Sequence, residues 1–115
     1  MKKYKNKELH CAVEETLAVV GAKWSVLVIH ALTGGIKRFG ELEKELTGIS
    51  PRTLSLRLSH LESSGVVSKK IYPMVPPKVE YQLTPLGKKL APVLSALNHW
   101  GDLYMAQHGK KKSTK

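Results

Sequence analysis

The chain has 115 residues, enough for one domain with a modest core. It is 42% apolar and 24% charged, a globular rather than a disordered composition, and no apolar run approaches the ~18 residues of a membrane span. The net charge of +10 suggests a polyanionic partner, yet it is concentrated in a basic tail at 1–8 (four lysines, one glutamate) and a lysine-rich one at 108–115, so charge alone decides nothing.

The start, MKKYKNKELH, is not followed by an apolar stretch of signal-peptide type. A single cysteine, Cys11, excludes an internal disulfide framework and suits a reducing, cytoplasmic setting. The first helix is expected over Cys11–Val20, with Cys11 in the N-cap position, Glu14 in the first turn and Val13, Leu17 and Val20 on one face. A second helix begins near Lys23, its stripe Trp24, Leu27, Val28, Ala31 and Leu32, and ends at Gly34-Gly35. Ile36-Lys37-Arg38 leads into a third helix carrying Phe39, Leu42 and Leu46 at helical spacing.

Thr47-Gly48-Ile49 reads as a tight turn, and Ser50-Pro51 as a helix start, serine capping and proline occupying the first helical position. The fourth helix (about 51–64) buries Leu54, Leu58 and Leu61 and turns Arg52, Thr53, Leu56, Arg57 and His60 outward. After Gly65 the apolar period changes from about 3.6 to 2, which predicts a β-hairpin over 67–83 around the proline-rich loop Pro73–Lys78. Thr84-Pro85 repeats the cap-and-proline start. The last helical region (about 85–106) spaces Leu86, Leu90, Val93, Leu97, Trp100 and Tyr104 at 4, 3, 4, 3 and 4, a seam for another helix, with a break expected just before Pro92.

Helix, glycine-containing turn and serine-capped helix make a helix-turn-helix, whose second helix enters the major groove N-terminus first. The exposed face of that helix holds two arginines and no acid. Arginine bonds guanine edges in pairs, and Thr53 and Leu56 suit thymine methyls. The hairpin fits a wing, with Lys69, Lys70 and Lys78 as phosphate contacts beside Lys37, Arg38 and Ser50. The fold class that follows is mainly α with a small β-hairpin wing: a winged helix-turn-helix occupying 9–107, with double-stranded DNA as partner. A winged helix that docks onto another protein without DNA readout is the alternative, and Arg52 and Arg57 beside Lys78 are the feature that discriminates the two.

The ordered series Cys11-Ala12-Val13-Glu14, Gly21-Ala22-Lys23-Trp24, Arg38-Phe39-Gly40-Glu41-Leu42, Gly48-Ile49-Ser50, Leu61–Val67, Tyr72–Tyr81 and Leu83–Gly87 resembles the HxlR-type winged-helix transcriptional regulators, relatives of the MarR-like group, over roughly residues 9–105. The resemblance implies a homodimer joined through its first and last helices. Leu17, Leu90, Val93, Leu97, Trp100 and Tyr104 form the expected interface, and the protein would bind a two-fold symmetric operator, as a repressor. It also implies that Cys11 stands where some relatives sense oxidants or electrophiles. A thiol at a helix N-terminus, with His10 and lysines nearby, gains thiolate character, whereas a free cysteine is also commonly a small apolar packing group. The family's proline after this cysteine is Ala12 here. No effector is specified, and the partner list otherwise stops at DNA and a second copy, with no membrane. The five histidines lack metal-ligand spacing and no phosphate-cradling glycine loop occurs, so neither metal, cofactor nor enzymatic activity is expected.

Overall fold

A computed structural model describes residues 7–109; residues 1–6 and 110–115, most of the two basic tails, lie outside them. Among the described residues nine elements follow one another: α1 (Lys7–Val20), α2 (Lys23–Leu32), β1 (Lys37–Arg38), α3 (Phe39–Glu45), α4 (Pro51–Ser63), β2 (Val67–Tyr72), β3 (Lys78–Leu83), α5 (Pro85–Lys88) and α6 (Ala91–Gln107).

The core forms where α2, α3 and α4 converge on the sheet. Val28 and Ile29 of α2, Leu42 of α3, and Leu54 and Leu61 of α4 are fully buried, and Val66, Val67 and Leu83 close the cluster from the sheet side. The buried residues of α2 are Ser25, Val28, Ile29, Ala31 and Leu32, so Val28, Ala31 and Leu32 of the expected stripe lie in the core and Ser25 and Ile29 join them. Trp24 and Leu27 are instead half-buried on its flank, because apolar side chains nearly encircle this helix and the sequence pattern does not mark which side meets α4.

Two boundaries depart from expectation and a third follows it. Helix α1 starts at Lys7, so Cys11 lies inside it and is not its N-cap. Lys37 and Arg38 form a short strand pairing antiparallel with β3 (Lys37 with Tyr81, Arg38 with Glu80), so the hairpin becomes a three-stranded sheet in the order β1-β3-β2. Two residues are too short to show a period, which hid the strand. The last helical region is two helices: α5 closes at Lys89, and α6 opens with Pro92 in its first turn, where a missing N–H costs nothing. That break falls where proline predicts it.

The turn between α3 and α4 is shaped by Gly48, whose φ of +96° is a region L side chains avoid. Ile49 N–H donates to the Leu46 carbonyl oxygen (3.0 Å), and both side chains are buried, which anchors the turn to the core. Gly87 is fixed for another reason: a Cβ there would collide with the Val66 carbonyl oxygen, so α5 packs directly on the backbone leading into β2.

Candidate DNA-binding interface

Helix α4 is positioned at both ends. Ser50 Oγ accepts from Thr53 N–H (3.0 Å) and donates to Thr53 Oγ1 (2.9 Å), while Pro51 fills the first helical position. With Leu54, Leu58 and Leu61 buried, the open face carries Arg52, Ser55, Leu56 and Ser59. Leu56 is 52% exposed between polar neighbours. Thr53 and Arg57 lie half-buried on the flank, still beside that face. Ser55 and Ser59 were passed over in the sequence; a stripe opposite Leu54, Leu58 and Leu61 finds them, and their hydroxyls suit base edges or phosphates.

His60 does not join this face. Its Nε2 lies 3.1 Å from the Ala18 carbonyl oxygen, so it links α4 to α1. The sequence reading placed it outward because helical spacing alone cannot show that α1 crosses there.

The basic residues divide into free and engaged groups. Arg38 is exposed, and its backbone N–H donates to Glu41 Oε1 (2.7 Å) at the start of α3. Lys37 pairs with Glu45 (3.3 Å), and Lys69 approaches Glu62 of α4 (3.8 Å), so both are tied to acids rather than free phosphate ligands. Lys70 and Lys78 lie in the β2–β3 ladder (Lys70 opposite Glu80, Lys78 opposite Tyr72) beside the wing loop. Both ammonium groups sit over the Tyr72 ring, 5.1 and 4.5 Å from its centroid. At the wing tip Val75 is fully exposed and Met74 half so.

Beneath the sheet, burial raises the Tyr81 hydroxyl above its ordinary value of 10.0, and the Glu62 carboxylate adds to the effect. Among the described residues no group of three or more His, Cys, Asp or Glu is arranged to hold a metal, and no helix is long and apolar enough to cross a membrane.

A second surface lies on the terminal helices. Leu17 of α1 (58% exposed), Leu97 (52%) and Trp100 (64%) of α6, with Val13, Val93, Leu103 and Tyr104, leave large apolar side chains in the open. Trp100 stacks on Tyr104 (5.4 Å between centroids), and Tyr104 on His108 (4.1 Å). Leu90 departs from the expected interface: it precedes the first turn of α6 and packs partly against the core. Cys11 is an exposed free thiol. Its place within α1 removes the helix-N-terminus argument for its reactivity, and the side chain of His10 lies outside the described set.

A three-helix core with a helix-turn-helix and an antiparallel wing defines the winged helix-turn-helix class of DNA-binding proteins. The family model for the HxlR-like helix-turn-helix matches residues 19–109. The chain belongs to that family, and its function is that of a helix-turn-helix regulator of transcription. It is 45% identical over 101 residues to the uncharacterized HTH-type transcriptional regulator YkvN of Bacillus subtilis (strain 168), covering 88% of this chain and 86% of that one. Among solved structures, a MarR-family regulator from Enterococcus faecalis V583 superposes with a TM-score of 0.78 at 33% identity, covering 94% of this chain and 98% of that one. The redox regulator HypR in its oxidized form gives 0.74 at 41%, covering 80% and 95%.

Proposed function

We propose that two copies of this chain, joined through α1 and α6, repress transcription in the cytosol by placing two α4 helices in successive major grooves of a two-fold symmetric operator. The observation that carries the reading is the face of α4: Arg52 with Ser55, Leu56 and Ser59, flanked by Thr53 and Arg57, with no acid in the first turn. Arginine there discriminates guanine by paired bonds, Leu56 meets thymine methyls, and Ser50, Ser55 and Ser59 hold phosphate or base edges. Arg38, Lys70 and Lys78 supply sequence-independent attraction. Lys37, Lys69 and Lys78 reach phosphate by exchanging an acid for it. No catalytic step belongs to this function.

Dimerisation is supported by the large apolar side chains left exposed on α1 and α6, among them Leu17, Leu97 and Trp100. The open groove of about 780 Å³ between α2 and α6, lined by Val26, Leu27, Leu94 and Leu97, continues that surface. Symmetric half-sites then lie about 10 bp apart, or a multiple of it.

The test is duplex binding over a salt series, using DNA from upstream of the protein's own gene. Arg57→Ala removes discrimination between operator and unrelated sequence, whereas Lys78→Ala weakens every duplex alike and flattens the salt slope by about one unit. Both variants binding as the parent does would refute this placement of the reading surface.

The exposed Cys11 and the likeness to a redox regulator support a second layer, control by oxidation. With one cysteine in the sequence, oxidation joins two copies or one copy and a small thiol, the oxidant taking two electrons and two protons. Diamide treatment is expected to change operator affinity in the parent and not in Cys11→Ser; equal responses remove this layer.

A further inference from the structure

The wing carries an acid in its basic patch, and its position is specific. Glu80 lies in the central strand β3, paired with Lys70 of β2 on one side and Arg38 of β1 on the other. One carboxylate oxygen accepts from the Tyr72 hydroxyl (3.0 Å), and the other lies 3.6 Å from Lys78 Nζ. Lys78 Nζ also stands over the Tyr72 ring, as Lys70 Nζ does. Directly opposed residues of an antiparallel ladder share a face, so Lys70, Tyr72, Lys78, Glu80 and Arg38 lie on one side of the sheet. Glu80 is therefore held by a hydroxyl whose own ring holds two lysines. A carboxylate fixed in this way presents Lys78 with the same chemistry as a DNA phosphate: an anionic oxygen at ion-pair distance.

We propose that Glu80 is an internal phosphate mimic that Lys78 must leave when the wing docks on DNA, and that Tyr72 is the positioning residue that keeps the carboxylate in place. This rests on the reading of the chain as a duplex-DNA binder and adds a limit to its affinity. The exchange of Glu80 for a phosphate costs the same on every sequence. It lowers operator and unrelated DNA affinity together, leaving base contacts from α4 to decide which sites remain occupied. An acid placed merely to stabilise the hairpin would set no such competition.

The experiment measures anisotropy of a fluorescein-labelled 30-bp duplex of mixed sequence, and of the upstream duplex, across a potassium chloride series. The parent is compared with Glu80→Gln, Tyr72→Phe and Glu15→Gln, the last an equal charge change on exposed α1. Glu80→Gln keeps an acceptor for the Tyr72 hydroxyl and removes the charge. It is expected to bind both duplexes about three- to tenfold tighter at low salt, the gain shrinking as salt screens the Lys78–Glu80 pair that competes in the parent. Its ratio of upstream to mixed-sequence affinity stays that of the parent. Tyr72→Phe, which retains the ring and frees the carboxylate, moves in the same direction by less, and Glu15→Gln leaves the salt dependence unchanged. Parent binding that Glu80→Gln leaves unaltered or weakens, with its melting curve intact, overturns the competition alone. A parent that binds neither duplex overturns the regulator reading, and this proposal with it.

Discussion

Tyr81 shows how one side chain ties the wing to the recognition helix. It sits half-buried in β3, with β1 on one side, β2 on the other and the Glu62 carboxylate of α4 close by. Burial first and Glu62 second favour its neutral form, so the folded protein holds this proton at pH values where the unfolded chain has released it. Stability from Tyr81 is thus complete below pH 10 and is lost as pH rises through the folded value. Denaturant melts between pH 9 and 11 are expected to show a shallower alkaline loss for Tyr81→Phe than for the parent. A parallel loss would mean that other groups carry it.

At the scale of elements, α4 owes its start to a single side chain. Ser50 Oγ satisfies an N–H that no helical carbonyl reaches, so Ser50→Ala is expected to cost about 1 kcal/mol, read as a drop of a few degrees in Tm by circular dichroism. An unchanged Tm would show that water caps the helix as well. The same signal made α4 legible from the sequence: serine, proline, then leucines at helical spacing leave little freedom in placing its start or its buried face. The wing was legible because alternation over six residues is distinctive, and the break before Pro92 because a proline amide cannot continue a helix. Less was readable where local pattern is weak or contacts are long-range. The strand at Lys37–Arg38 exists only through its pairing with β3. The start of α1 lies upstream of the cap-like Cys11-Glu14 spacing. The pairing of Lys37 and Lys69 with acids crosses between neighbouring elements, where neither helical nor strand periodicity describes the geometry, and the turning of His60 toward α1 depends on an element distant in sequence.

The molecule as a whole is extended: its radius of gyration is 16.4 Å against about 13 Å for a compact chain of this length, and its extents are 54 × 37 × 23 Å. The described residues of one protomer leave Leu17, Leu97 and Trp100 in the open. Leu97→Glu is therefore expected to convert a dimer, measured by light scattering at twice the 12.8 kDa chain mass, into a monomer. Operator affinity should fall by about a hundredfold or more, because the two half-sites then bind without the benefit of linkage. A variant that remains dimeric would place the interface elsewhere. The contact from His60 to the Ala18 carbonyl spans 42 positions of sequence and runs from the helix that reads to the helix that bears the thiol and the apolar face. In the proposed dimer, a tilt of α1, from a change of partner packing or from an adduct on sulfur, would reach α4 through this contact. If two copies read DNA as proposed, the spacing of their α4 helices then depends in part on His60, a side chain outside the proposed reading face.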